Sequence, residues 1–191
     1  KRANLVFSDI DRLLEMGRGK VQFIFSGKAH PKDAGGKDLI REVIENANKL
    51  SNSINIVFLE NYNMTLGRLI TSGVDLWLNT PIRPMEASGT SGMKATLNGV
   101  PNFSILDGWW AEACVHGKNG WAIESTNLGD NNSDSNSLYE ILKNDIIKVY
   151  YSDKNRWIQI MRNSIKTGVD FTAHRMVIEC QNKYYMTRVK M

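Results

Sequence analysis

The residues best suited to chemistry lie in one short stretch, residues 84–94. It carries a carboxylate at Glu86, hydroxyls at Thr90 and Ser91 and an amine at Lys94, and its glycines allow the backbone to approach a ligand closely. Exposed amide groups at the start of a helix bind phosphate, because the positive end of the helix dipole lies there. The stretch therefore predicts an anion site built around a helix start.

Two interpretations of these residue types stay open. In one, Ser88, Thr90 and Ser91 only cap the helix, Lys94 is solvated and Glu86 is a surface carboxylate. In the other, the hydroxyls and amides bind phosphate, Lys94 reaches back to the same pocket from one turn into the helix, and Glu86 accepts hydrogen bonds from sugar hydroxyls. Glycine-rich helix starts are common in α/β folds, so the residue types alone do not decide between them.

Alternating strands and helices are predicted to position this stretch. Short runs rich in β-branched and aromatic residues predict strands at 21–25, 54–59, 76–78 and 103–106. Apolar residues at helical spacing predict helices near 6–14, 40–47, 64–71 and 93–98. Apolar strands separated by helices favour a doubly wound, mostly parallel α/β sheet of the Rossmann-like kind, whose ligands bind at the carboxyl ends of the strands.

A polar segment at 129–137 is predicted to be a surface loop that divides the chain. It would separate an α/β domain at 1–128 from a helical tail at 138–191. Apolar spacing in the tail predicts three amphipathic helices, near 138–149, 157–165 and 173–184.

Composition excludes several classes of protein. With 191 residues, 42% hydrophobic and 23% charged, the chain is expected to be globular rather than disordered. The net charge of +4 is scattered, which disfavours nucleic-acid binding, and no apolar run approaches a membrane span. Cys114 and Cys180 indicate no disulfide framework, and His30, His116 and His174 lack metal-ligand spacing, so no metal is expected. A cytoplasmic location fits these features.

Three tryptophans, Trp109, Trp110 and Trp121, allow two interpretations. Flat rings suit the faces of sugars, but large aromatic residues more often fill cores and interfaces. Core packing is the favoured interpretation.

The glycine-rich stretch also resembles a known family. The run from Glu86 to Lys94, continued by Leu97-Asn98-Gly99 and Leu106-Asp107-Gly108, resembles the pyridoxal-phosphate site of α-glucan (glycogen, starch and maltodextrin) phosphorylases. Other segments that match in order are Lys1-Arg2, Ser26-Gly27-Lys28-Ala29, Phe58-Leu59-Glu60-Asn61-Tyr62, Asn79-Thr80-Pro81 and Asp107-Gly108-Trp109-Trp110. The last two are similar to the shorter, prokaryotic branch.

The resemblance implies a cofactor and a reaction. Lys94 would hold pyridoxal 5'-phosphate as a Schiff base, Thr90 and Ser91 would bind its phosphate, and Tyr62 would line its pocket. The coenzyme phosphate would exchange protons with substrate phosphate. An α-1,4-glucan and inorganic phosphate would then give glucose 1-phosphate with retention.

The same resemblance implies further roles. Glu86, Ser88 and Gly89 would contact the transferred glucose, and Lys1 would bind substrate phosphate, which makes Lys1 and Glu86 the catalytic pair. The chain would be the C-terminal domain of the enzyme, truncated at its N-terminus. Its partner would be the missing N-terminal domain, without which we expect no turnover. Homo-oligomerisation and allosteric regulation stay open.

Two alternatives remain at this stage. A sugar-nucleotide-dependent glycosyltransferase domain, similar to glycogen synthase, would use the glycine-rich loop for a diphosphate without pyridoxal phosphate. A non-catalytic domain would keep the fold for assembly or regulation, and would bind neither coenzyme nor sugar.

Overall fold

The fold is built on parallel β-strands. The computed structural model describes residues 1–124 and 129–186. Within these ranges the strands are β1 (Gln22–Ser26), β2 (Asn55–Leu59), β3 (Trp77–Asn79), β4 (Asn102–Ile105) and β5 (Gly120–Ile123). Strand β1 pairs with β2, the other strands pair in the order β3-β4-β5, and every pairing is parallel. The expected parallel α/β class is confirmed.

Helices connect the strands and continue into the tail. They are α1 (Ile10–Gly17), α2 (Ala34–Leu50), α3 (Met64–Gly73), α4 (Thr90–Leu97), α5 (Trp110–Ala113), α6 (Asn131–Ile141), α7 (Ile147–Ser152), α8 (Lys154–Val169) and α9 (Ala173–Cys180). A π-helical segment, Leu142–Ile146, joins α6 to α7. The predicted helical tail is thus present in the part of the chain that the structure describes. None of the described helices has the length and apolar character needed to cross a membrane.

The first predicted helix is wrong in one respect, because it consists of two pieces. Residues Ala3–Phe7 form a short 3₁₀ helix, and α1 begins only at Ile10. The Asp9 carboxylate accepts a hydrogen bond from the Arg12 amide at 3.0 Å. This N-cap starts a new helix, so the apolar spacing runs through a break. Strand β5 and helix α5 were not predicted.

The expectation of a polar surface loop at 129–137 is also wrong. Helix α6 begins at Asn131, with the Asp130 carboxylate accepting a hydrogen bond from the Asn132 amide at 3.0 Å. Asp134 lies buried and pairs with Arg2, which is also buried. The segment is polar because its side chains cap a helix and bind a buried arginine. The division of the chain at this segment stays a prediction.

A single large hydrophobic cluster includes strand residues and tail residues together. It contains Phe103 and Trp121 from the sheet and Leu138, Ile146 and Trp157 from the tail. Burial of such side chains contributes roughly 1.5–3 kcal/mol each. Helices α6, α7 and α8 therefore belong to the same core as β4 and β5, whereas α9 contributes no buried residue.

The tryptophans pack in the interior. Trp109, Trp110 and Trp121 are 4%, 1% and 0% exposed. The indole of Trp110 donates to the Trp121 carbonyl at 3.1 Å, and that of Trp121 donates to the Asp145 carboxylate at 2.7 Å. Core packing is confirmed, and a sugar-stacking role for these rings is wrong because their faces are covered.

Candidate functional site

The glycine-rich stretch leads from β3 into α4. Gly89 occupies the N-cap of α4 with φ of 89°, a left-handed conformation that favours glycine. No side chain caps this helix, so the expectation that Ser88, Thr90 or Ser91 does so is wrong. Within the described residues, the amides of Thr90 and Ser91 donate no hydrogen bond. These two donors are free to bind an anion.

Lys94 lies one turn beyond this helix start. It is exposed, as Thr90 is, and a helical side chain leans toward the N-terminus of its helix. Its ammonium forms no hydrogen bond or ion pair with any residue that the structure describes, so it is available for a ligand. The Lys94 ammonium, four residues into α4, and the amides of Thr90 and Ser91 at its start are thus all without partners among the described residues.

The buried side chain of Asn102, at the start of β4, holds helix α4 in place. The Asn102 amide group donates to the Gly92 carbonyl at 3.1 Å and to the Thr96 hydroxyl at 2.5 Å. Asn102 and Thr96 are 1% and 0% exposed. Sequence reasoning missed Asn102; the only signal was a polar residue at the start of an apolar strand. Strand β4 thus fixes the helix that carries Lys94.

The structure brings Lys1 and Glu86 together, and their predicted roles toward substrate stay predictions. The Lys1 ammonium lies 2.6 Å from Glu86 Oε2 and 2.8 Å from Asn79 Oδ1. The Arg2 amide donates to the Thr80 carbonyl at 3.0 Å, and the Thr80 hydroxyl returns a bond to the Arg2 carbonyl at 2.8 Å. The chain start is therefore fixed at the carboxyl end of β3, where Lys1 meets Glu86.

Arg2 itself is held by three partners, of which Pro81 and Asp134 are buried, and sequence reasoning missed all of them. Its guanidinium donates to Pro81, Asn131 and Asp134. No local pattern indicates these contacts, because Arg2 and Asp134 are 132 positions apart.

Tyr62 stands at a large cavity that separates β1 from β3. The cavity has a volume of about 1100 Å³, and of the predicted site residues Lys1, Tyr62 and Ser91 line it. Tyr62 lies against Gly67, where an added Cβ would be 2.6 Å from the tyrosine oxygen. Ser88, Gly89, Thr90 and Lys94 are not among the lining residues. The predicted site residues are therefore divided, since Lys1, Tyr62 and Ser91 line the cavity whereas Glu86 and Lys94 do not.

The histidines have structural contacts or lie outside the site. The Nδ1 atom of His30 accepts the Lys32 amide at 3.2 Å, and that of His116 accepts the Ala122 amide at 3.3 Å. Within residues 1–124 and 129–186, no group of three or more His, Cys, Asp or Glu side chains could hold a metal ion.

Cys114 is expected to be a poor nucleophile. Burial, with a smaller contribution from Glu124, raises the pKa of the Cys114 thiol to about 12. The thiolate fraction at pH 8 is then on the order of 10³-fold below that of an ordinary thiol. Alkylation of the native Cys180→Ser variant by iodoacetamide should be slower by that factor than alkylation of glutathione. Equal rates would contradict the burial of this thiol, and denatured protein serves as the fast-reacting control.

Comparison of the sequence with known proteins relates the chain to carbohydrate phosphorylases. A family model described as carbohydrate phosphorylase matches residues 6–118. The chain is 46% identical to the maltodextrin phosphorylase of Thermococcus litoralis over 97% of its length, and 42% identical to the glycogen phosphorylase of Aquifex aeolicus over 100%. It spans 23% and 29% of these relatives.

A solved structure shares the fold. The crystal structure of Anabaena Alr3699/HepE in complex with UDP and glucose aligns with 95% of this chain and 45% of its own, with a TM-score of 0.67 and 21% identity. At that identity the likeness concerns the fold alone.

Fold and site together define a parallel α/β domain with a lysine–glutamate pair beside a glycine-led helix start. The family match and the relatives make the assignment specific: the chain belongs to the carbohydrate phosphorylase family.

Proposed function

We propose that this chain is the pyridoxal-phosphate-binding, C-terminal part of an α-1,4-glucan phosphorylase, which releases glucose 1-phosphate from glucan with inorganic phosphate. The observation that carries the proposal is the geometry of α4. Two unpaired amides, of Thr90 and Ser91, begin the helix, and Lys94, whose ammonium is also unpaired among the described residues, follows about one turn later. A ligand with both a phosphate and an aldehyde matches that combination of donors and amine.

The residues present fit the coenzyme. The amides and hydroxyls of Thr90 and Ser91 would hold its phosphate, Lys94 would attach it through the side-chain amine, and Tyr62 would flank it. When bound, the coenzyme supplies a phosphate group that exchanges protons with substrate phosphate. The helix dipole and the Lys94 charge favour that anion at this position.

Lys1 and Glu86 would serve the substrates. A lysine ammonium has three donors, and Asn79 and Glu86 take two of them, which leaves one for substrate phosphate. The Glu86 side chain is 11% exposed and would accept hydrogen bonds from glucose hydroxyls. Ser88 and Gly89 precede the same helix start and would contact the sugar beside it.

The complete activity would require more than these residues. The chain spans 23–29% of the two curated relatives, so the rest of the sugar pocket and its partner domain would come from the remaining sequence. We infer that the 191 residues alone do not turn over substrate. We also propose a cytoplasmic location, where an α-glucan and inorganic phosphate meet.

Reductive labelling tests the proposal. A full-length protein containing this chain is incubated with pyridoxal phosphate, reduced with borohydride and mapped by peptide mass spectrometry. We expect one stoichiometric label on Lys94, lost in Lys94→Ala and kept in Lys49→Ala, which removes an exposed lysine from α2. Labels scattered over surface lysines would refute the proposal. Thermal protection by UDP-glucose or ADP-glucose, without a label, would favour the sugar-nucleotide alternative.

A further inference from the structure

The turn after β4 has no role in the proposed mechanism, yet it contacts the loop that would bind the sugar. We call residues 107–109 the β4 turn and residues 86–89 the sugar loop. The Asp107 carboxylate accepts the Glu86 amide at 2.9 Å through Oδ2. The Trp109 amide donates to the Ser88 carbonyl at 2.9 Å. The β4 turn therefore holds the main chain of the sugar loop at both Glu86 and Ser88.

Asp107 uses its second oxygen to shape the turn. Its Oδ1 accepts the Gly108 amide at 2.9 Å. Gly108 has φ of 54°, and a Cβ there would overlap the carbonyl oxygen of Ser88 and lie 3.0 Å from that of Glu86. The turn and the loop thus touch backbone to backbone. One carboxylate oxygen of Asp107 binds the loop at Glu86, and the other binds the turn itself at Gly108.

Trp109 anchors the β4 turn in the core, whereas within the described ranges the side chain of Glu86 is restrained only by its ion pair with Lys1. Trp109 is 4% exposed, and its ring centroid lies 5.1 Å from those of Trp110 and Phe171. The ion partner of the Glu86 side chain, Lys1, is 53% exposed. The Glu86 side chain is itself only 11% exposed, but an ion pair with a half-exposed lysine restrains a side chain weakly. The position of Glu86 therefore depends on its main-chain bond to Asp107.

We propose that Asp107 is a positioning residue that fixes the main chain of Glu86 and, through it, the carboxylate that meets the sugar. The proposal rests on the proposed function, because that function gives Glu86 its sugar. Asparagine at this position keeps one acceptor oxygen and turns a donor toward an amide, so it can replace only one of the two bonds. Alanine replaces neither. The strength of positioning should follow the order Asp, Asn, Ala.

Three variants of the full-length protein containing this chain test the idea: Asp107→Ala, Asp107→Asn and the control Asp145→Ala. Asp145 also holds a structural group, because it accepts the Trp121 indole at 2.7 Å, but it does not contact the sugar loop. Hydrogen exchange of the Glu86 amide should accelerate about tenfold or more in Asp107→Ala, less in Asp107→Asn and not in Asp145→Ala. The KM for glucose 1-phosphate should rise most in Asp107→Ala, less in Asp107→Asn and not in Asp145→Ala. The labelling of Lys94 should be unchanged in all three variants.

The outcomes separate positioning from general stability. Unchanged Glu86 exchange in both Asp107 variants would overturn the proposal, as would a KM increase in Asp145→Ala as large as in Asp107→Ala. If Asp107→Ala does not fold, the Asp107→Asn variant decides alone. A wild-type protein with neither label nor turnover would overturn the proposed function. The exchange rates would still show whether Asp107 holds Glu86.

Discussion

Replacing Asp134 with alanine is expected to lower the free energy of unfolding by about 3–5 kcal/mol. The Asp134 carboxylate lies 2.5 Å from the Arg2 guanidinium, and the two side chains are 2% and 8% exposed. Without the carboxylate, the guanidinium charge stays in a buried site with two neutral acceptors, from Pro81 and Asn131. Chemical denaturation of Asp134→Ala beside the parent protein measures the difference.

Two variants control for the general effect of removing a charge. Asp38→Ala breaks an ion pair with Arg41 on α2 whose side chains are 66% and 65% exposed, and it should cost less than about 1 kcal/mol. The double variant Arg2→Met/Asp134→Leu removes both buried charges and should recover most of the lost stability. Similar losses in Asp134→Ala and Asp38→Ala would contradict the burial of the pair.

The Arg2–Asp134 pair also bears on the candidate site. Arg2 follows Lys1 directly, and its amide and carbonyl are bonded to Thr80 at the end of β3. A buried guanidinium next in sequence therefore limits where the Lys1 ammonium can lie. Helix α6, distant in sequence, contributes in this way to the position of the lysine–glutamate pair.

Local patterns in the sequence predicted most of the fold. Strand β2 and helix α3, for example, were predicted within two residues of their observed bounds, because apolar periodicity reports directly on burial. The sequence indicates less clearly where a helix is interrupted or where a short strand lies. The Asp9 N-cap interrupts an apolar stripe without changing its spacing, and β5 is a strand of only four residues that begins with a glycine.

Contacts between residues far apart in the sequence explain the other predictions that were wrong or missing. The polar residues at the start of α6 favour a loop in the sequence, because Arg2, the buried partner of Asp134, is more than a hundred positions away and leaves no local signal. The candidate site shows the same division. The order from Glu86 to Lys94 is local and was recognised, whereas the bond from Asp107 to Glu86 required the structure.

Replacing Gly120 with alanine is expected to destabilise the protein by about 2–5 kcal/mol, from overpacking and an unfavourable backbone conformation together. Gly120 opens β5 with φ of 152°, which side chains rarely adopt. An added Cβ would overlap the Asn102 carbonyl and lie 2.7 Å from the Trp110 ring. Moving either neighbour is costly, because one is the main chain of β4 and the other is a ring that is 1% exposed. Thermal or chemical denaturation gives the loss.

Gly19→Ala separates the two causes. Gly19 also has a positive φ, of 70°, but no atom lies within 4 Å of its added Cβ, so only the conformational cost of about 1–2 kcal/mol remains. The excess loss in Gly120→Ala then measures the steric term, and equal losses would show that β4 and Trp110 yield. Since Asn102 also holds α4 through Gly92 and Thr96, a displaced β4 should reduce the labelling of Lys94 by pyridoxal phosphate. Gly19→Ala, remote from β4, should leave that labelling intact.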